Sequence, residues 1–257
     1  LHRWKGQGDP KETKVRVRIF GATDVGRVRK INQDSYYINA EQGIAIVADG
    51  IGGRKGGEIA SSMAVKGIYS EFLKRQNMKE SDVPPFLIAT IDKVNSQILE
   101  KGQDDEAIEG MGTTLNALVF LGDNLYIAHV GDSRTYLYYR NHIWQLTLDH
   151  NMEVYIERGW LSKETLGKAA RPNALVRALG LTPKCEVDVY EKVVRPHEIY
   201  LTCSDGLTGM VSDKKIKSLI REYENKLHAL PERLVEEANK GGGKDNITVV
   251  ISEVLRG

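Results

Sequence analysis

Five aspartates stand at the margins of apolar runs. Asp49 follows IAIVA, Asp205 follows YLTCS, Asp132 follows YIAHVG, Asp245 precedes ITVVI, and Asp34 lies between a polar loop and Tyr36–Asn39. Taken singly, each is an ordinary turn or helix-cap residue, and Asp-Gly at 49–50 and 205–206 is a common turn pair. Taken together they mean something else. If the apolar runs are strands of packed sheets, their ends share a rim and several carboxylates converge on it. Converging carboxylates repel one another and need neutralising. An all-oxygen ligand set suits hard cations, Mg²⁺ or Mn²⁺, which keep part of their water. The His and Cys ligands that zinc prefers are missing from these positions.

The elements that must position these groups follow from periodicity. Val15–Thr23, Tyr36–Asn39 and Gly43–Ala48 read as strands, the last buried on both faces. Glu58–Arg75 is helical with Ile59, Met63, Ile68 and Phe72 on one stripe. Pro84–Lys101 repeats the pattern with Leu87, Ile91, Val94 and Ile98, and its two leading prolines suit a helix start. Thr113–Leu121, Asn124–Val130, Arg134–Tyr139 and His142–Leu146 return to strand, with hairpin turns at Gly122-Asp123 and Arg140-Asn141. Asp149–Arg177 is polar and irregular, with a short helical stretch at Asn151–Arg158, and reads as a lid or small insertion. Strands at Glu186–Val193, Glu198–Cys203 and Ile247–Val254, with helices at Ser212–Tyr223 and Pro231–Asn239, complete the order. Strict βαβ alternation is absent, which argues against a doubly wound parallel sheet. Thr113–Leu121 is apolar on both faces and must be covered twice. The expected fold is therefore α+β, a four-layer α-β-β-α sandwich of two mostly antiparallel sheets with helices outside.

Seven segments extend the pattern beyond single aspartates. They are RKINQDSYY (Arg29–Tyr37), VADGIGG (Val47–Gly53), GMGTTLNAL (Gly110–Leu118), HVGDSRTYL (His129–Leu137), LTLDHN (Leu146–Asn151), CSDGLT (Cys203–Thr208) and GGKDNITVV (Gly242–Val250). In this order they resemble the metal-dependent Ser/Thr protein phosphatases of the PPM, or 2C, type in their compact bacterial form. The resemblance runs from about Val15 to Val254. It implies that Asp49 bridges two metal ions and Gly50 offers its carbonyl to one. It implies that Asp205 and Asp245 ligate the other, and that Asp34 holds a metal-bound water. Asp132 matches a third, weaker metal position, and Asn246 a residue supporting the water network. Arg29 would grip the phosphoryl group, and 149–177 would be a flap beside the site. The implied reaction is attack of a metal-bridged hydroxide on phosphoserine or phosphothreonine, with Arg29 absorbing equatorial charge. One departure matters: many eukaryotic members carry His directly after the Asp-Gly, and this chain has Ile51, so the general acid is unassigned.

Composition narrows the rest. The 257 residues fit one domain, read as a lead-in over 1–14 and a single catalytic domain over 15–257. Lys plus Arg number 36 and Asp plus Glu 35, so no whole-molecule field exists to capture nucleic acid or an anionic membrane. Two cysteines, Cys185 and Cys203, make a disulfide scaffold or zinc site an unsuitable reading. No apolar run approaches a membrane span and no signal-peptide core is seen, so a cytoplasmic monomer is expected. Its expected partners are phosphoprotein substrates and an opposing Ser/Thr kinase. Glycines at 52–53 and 56–57 are read as a tight turn and close packing rather than a phosphate cradle, and 241–243 as a flexible approach to Asp245. His129 is read as a satisfied core histidine. The rival readings are a dedicated sporulation- or stress-type phosphatase of the same superfamily and a non-catalytic pseudophosphatase. The second would lack acidic ligands, and Asp49, Asp205 and Asp245 are all present.

Overall fold

Most strands of this chain bury both faces, and the layers follow from that. The computed structural model describes residues 2–4 (backbone alone), 15–51, 56–75, 77–162 and 172–255. The chain lays down β1 (His2–Trp4), β2 (Arg16–Asp24), β3 (Asp34–Asn39), β4 (Ile44–Ile51), α1 (Gly57–Leu73) and α2 (Val83–Gln103). Then come β5 (Gly112–Thr113), β6 (Leu115–Leu121), β7 (Asn124–Val130), β8 (Arg134–Tyr139), β9 (His142–Gln145) and α3 (Met152–Glu157). β10 (Asp188–Val193), β11 (Ile199–Cys203), α4 (Asp205–Thr208), α5 (Asp213–Tyr223), α6 (Leu230–Lys240) and β12 (Ile247–Leu255) close it. One sheet runs β1-β10-β7-β6-β4-β3, with β5 paired to the end of β4; the other runs β2-β12-β11-β8-β9. Among the described strands only β1 pairs in parallel, with β10.

Alternation along β4 shows why both faces are needed. Ala45 and Val47 join Leu118, Ile127, Tyr200 and Val250 between the sheets. Ile44, Ile46 and Ala48 face the other way, into a layer under α1 and α2. A third layer packs α5 and α6 on Tyr136, Leu201, Val249 and Ile251. Each fully buried Ile or Leu in these layers contributes roughly 1.5–3 kcal/mol of transfer free energy. The four-layer α+β sandwich is thus the observed fold.

Local departures have physical causes. The buried face of α1 is Ala60, Ala64, Val65, Ile68 and Phe72, with Ile59 and Met63 only partly covered. Small alanines let the helix approach the sheet closely, which a search for large apolar residues misses. The strand expected at Thr113–Leu121 breaks at Thr114, whose hydroxyl and amide are both committed to Asp49. Asp205-Gly206, a common turn pair, opens a four-residue helix over Asp205–Thr208, while the Ser204 hydroxyl before it donates to Asp34 Oδ2 and accepts from Thr248 N. Cys185 lies outside the strands, and both cysteines are free. Gly241–Gly243 is a tied turn rather than a loose approach. Gly242 and Gly243 take positive φ of 127° and 50°, Gly243 N donates to Ala238 O, and Gly243 O accepts from Arg27 N. No described helix is long and apolar enough to cross a membrane.

Candidate metal centre

Strand geometry brings the aspartates to one rim. Asp34 opens β3 and lies directly across the antiparallel ladder from Asp49 near the end of β4. Asp132 sits in the turn between β7 and β8, Asp205 begins α4 after β11, and Asp245 precedes β12. A cavity of about 500 Å³ is lined by Arg29, Asp49, Gly50, Asp132, Asp205 and Asp245 among others. Asp34 stands behind it, nearly buried.

Backbone contacts fix these positions. Asp49 N donates to Thr114 Oγ1 at 2.9 Å, and Asp49 O accepts from Thr113 Oγ1 and Thr114 N, each at 2.9 Å. Gly50 has no room for a side chain: a Cβ there would overlap the Gly57 carbonyl and come within 2.5 Å of Gln33 O. Close packing of Gly50 on Gly57 is what the glycines at the start of α1 serve. Gly206 is confined in the same way, by the carbonyl of Asn246.

Asn246 behaves differently from the expectation that it supports a water network. Its Oδ1 accepts from Gln33 N at 2.8 Å, and its Nδ2 donates to Val25 O and Ile31 O, both at 2.9 Å. Both amide protons are spent on backbone, so the side chain holds the loop that carries Arg29 and Asp34. Arg29 itself donates to Asp245 Oδ2 at 2.7 Å; both side chains are well exposed. It reaches the rim, but onto a carboxylate.

The electrostatics show an uncompensated cluster. Asp49 is pushed well above the ordinary carboxylate range, by burial first and then by the charges of Asp34, Asp205, Asp132 and Asp245. Asp34 is raised to about 6, mostly by burial, and Asp132 to about 7 by burial and then by Asp205. Asp205 is raised by burial and by Asp245, while a hydrogen bond with Asp49 works the other way. Asp34 Oδ2 accepts from Ser204 Oγ at 2.7 Å, but its buried Oδ1 has no partner. Among the described residues, no three of His, Cys, Asp and Glu are drawn together into a finished coordination shell. An all-oxygen set, an orphaned buried carboxylate oxygen and proton affinities raised first by burial and then by mutual charge fit a hard divalent cation.

Asp132 lies in the turn between β7 and β8, and the two side chains that follow it are engaged with other groups. Ser133 Oγ lies 2.7 Å from Thr114 Oγ1, and Arg134 forks onto Asp149 at 2.7–3.0 Å. His129 is the satisfied core histidine, 2.6 Å from Asn116 Oδ1 and 2.9 Å from Leu148 O, and burial pushes it down to about 3. His150 is a residue the sequence reading missed. Its Nδ1 accepts from Gly131 N at 3.1 Å and its Nε2 faces Asp188 Oδ2 at 3.1 Å, which pins the turn before Asp132. The segment expected as a flap is anchored at both ends. Asp149–Asn151 are buried, Met152 N donates to Ala174 O, and Val176 N donates to His150 O. Residues 163–171 lie outside the described residues.

Two helix-covered antiparallel sheets thus carry an oxygen-rich rim beside an arginine. The profile of the family "Protein phosphatase 2C" matches residues 27–237. The serine/threonine phosphatase stp of Listeria welshimeri is 37% identical over 237 residues, 90% of this chain and 93% of that one. A Streptococcus agalactiae serine/threonine phosphatase superposes with a TM-score of 0.83 at 32% identity, covering 93% of this chain and 99% of that one. The catalytic domain of PstP, in complex with two manganese ions, superposes with a TM-score of 0.80 at 32% identity over 95% of this chain and 100% of that one. The chain belongs to the protein phosphatase 2C family.

Proposed function

We propose that this chain hydrolyses phosphoserine and phosphothreonine on proteins and opposes a Ser/Thr protein kinase as a cytoplasmic monomer. The observation that carries the reading is the rim itself: Asp49 feels the charges of Asp34, Asp132, Asp205 and Asp245 at once. Asp49 with the Gly50 carbonyl, and Asp205 with Asp245, are the residues that would hold two Mn²⁺ or Mg²⁺ ions. Asp34 would receive a water of that site, and Asp132 would hold a weaker third ion. When bound, the ions supply countercharge and an acidified water.

The chain's own residues do the rest. Arg29 is exposed enough to exchange Asp245 for the equatorial oxygens of a phosphoryl group, which its planar fork can grip in pairs. Water oxygen bonds to phosphorus, the phosphorus–serine oxygen bond breaks, and that oxygen takes up a proton. Among the described residues lining the cavity none is a histidine. A water held at the rim would supply that proton. Gly50 keeps the floor open because any side chain there would displace α1. The test is turnover of a phosphopeptide by the chelator-stripped chain before and after Mn²⁺ or Mg²⁺ is restored. Activity that depends on the added ion is expected; full turnover after stripping would overturn the metal roles.

A further inference from the structure

The cavity that gathers the aspartates has a second wall of different chemistry. Ile51, Leu175 and Leu181 line it; the first two are half-buried and Leu181 is 42% exposed. These apolar side chains share one cavity with the aspartates, so whatever occupies the rim lies beside them.

This wall is anchored. Ile51 follows Gly50 directly and pairs with Gly112 across the β4–β5 ladder. The side chain of Leu181 lies over Gly112, its Cδ2 2.9 Å from where a Cβ would stand, so the glycine makes its seat. Leu179 exchanges backbone hydrogen bonds of 3.0 and 2.9 Å with Thr113, which holds the segment against β5. Leu175 bridges to Asn151, flanked by the ties from Met152 and Val176 described above. Ile51 thus projects from a ladder and Leu175 from a bridge, while Leu181 follows two residues after the bridge at Leu179 and is seated on Gly112.

Neither phosphate nor a cation gains anything from an apolar wall. A polypeptide that delivers a phosphorylated residue to the aspartates must lay its neighbouring residues across the rest of the cavity. About 500 Å³ holds a phosphoryl group and one further side chain. A charged neighbour placed against Leu175 and Leu181 would lose water without gaining a partner. We propose that Ile51, Leu175 and Leu181 form a subsite for an apolar side chain adjacent to the phosphorylated residue, so that the enzyme selects phosphoproteins carrying such a neighbour. The proposal rests on the phosphatase reading above and names part of its substrate class.

The experiment compares phosphothreonine peptides that differ only in having Leu, Ser or Glu immediately before or after the phosphoresidue. The full chain is used with Mn²⁺, and the readout is the ratio of kcat/KM between peptides on one enzyme preparation. Any loss of folded enzyme cancels in that ratio. The wild type should favour Leu over Ser by about five- to tenfold at one flank, the scale of partly burying one apolar side chain. Leu181→Lys should bring the Leu-to-Ser ratio close to one and raise Glu above Ser; Leu175→Ser should lower the Leu preference alone. A wild-type ratio near one at both flanks overturns the subsite, and so does a Leu181→Lys enzyme that keeps the wild-type ratios. Turnover of p-nitrophenyl phosphate separates the two levels. If it is hydrolysed while the peptide ratios are flat, the subsite falls and the phosphatase reading stands. If nothing is hydrolysed, both fall.

Discussion

Asp34 and Asp49 stand directly opposite each other on the β3–β4 ladder. Like charges in facing positions of a sheet are destabilising, and burial makes this pair costlier than a surface one. Thr248 and Ser204 hydrogen bonds lower the proton affinity of Asp34, yet burial leaves it at about 6. The pair is thus arranged for countercharge at the expense of stability without it.

A stability profile follows from that arrangement. Asp34 and Asp132 have folded values of about 6 and 7 against an ordinary 3.8, so between those values the folded state holds more protons than the unfolded one. The contribution of these carboxylates to stability therefore falls as pH rises from about 4 to about 7 in the chelator-stripped protein, by on the order of 1–3 kcal/mol, while buried His129, pushed down to about 3, contributes in the opposite sense over much of the same window. Mn²⁺ should act in the opposite sense, because cations bind the deprotonated carboxylates and raise Tm more as pH rises. Scanning fluorimetry from pH 4.5 to 7.5, with chelator and with Mn²⁺, checks both. A pH dependence of the stripped-protein Tm that is unchanged in Asp132→Asn, where His129 is kept, would contradict the carboxylate cluster.

Asp49→Asn should separate stability from activity. Removing a charge from the centre of five repelling carboxylates raises the Tm of the stripped protein. The same change costs turnover about 10²–10³-fold with Mn²⁺ present, the scale of losing one preorganised electrostatic group. Near-normal turnover, or a lower stripped Tm, would remove Asp49 from the centre of the site.

Arg29→Ala should act on substrate. Its ion pair with Asp245 is exposed and worth about 1 kcal/mol or less, so folding is little changed. The expected loss is in kcat/KM for phosphopeptide, about 10–100-fold, with only partial recovery in Arg29→Lys because an ammonium lacks the fork. Calorimetry with Mn²⁺ should show metal affinity kept or slightly raised, since Asp245 is freed. Loss of metal binding would make Arg29 a structural partner of the metal site.

Asn246→Ala tests the loop-holding role. The change orphans Gln33 N, Val25 O and Ile31 O in a region where Asn246 itself is 3% exposed. The cost should be about 2–4 kcal/mol, with KM for phosphopeptide raised because Arg29 rides on that loop. Urea unfolding gives the first number and steady-state kinetics the second. A loss below about 0.5 kcal/mol would mean that the backbone finds other partners.

The legible parts of this protein were those carried by local pattern. Leu87, Ile91, Val94 and Ile98 are all buried at helical spacing, and the hairpin turns at Gly122 and Arg140-Asn141 adopt positive φ. The rim was legible because each aspartate sits at the edge of an apolar run. Long-range partners left no local mark. His150 meets Gly131 and Asp188 only after β7, β8 and β10 assemble, and Asn246 reaches Val25 across 221 residues. Leu175 and Leu181 lie in irregular sequence where no periodicity singles them out, and only the folded chain brings them to the cavity of the aspartates, beside isolated bridges of Leu175 to Asn151 and Leu179 to Thr113.

Asp132 is the remaining aspartate whose role can be separated from the others. Its turn is pinned from outside by His150, and Ser133 and Arg134 are engaged with Thr114 and Asp149. Burial and the neighbouring Asp205 raise its proton affinity, which again marks a carboxylate short of countercharge. A position with one protein carboxylate keeps many waters and binds a cation weakly. Asp132→Ala should therefore keep or raise the stripped Tm and keep the tight Mn²⁺ isotherm. It should lose the low-affinity phase of that isotherm together with most phosphopeptide turnover. Turnover equal to wild type across a full Mn²⁺ titration would leave Asp132 without a part in the reaction. A collapsed Tm would show that the turn needs the carboxylate after all.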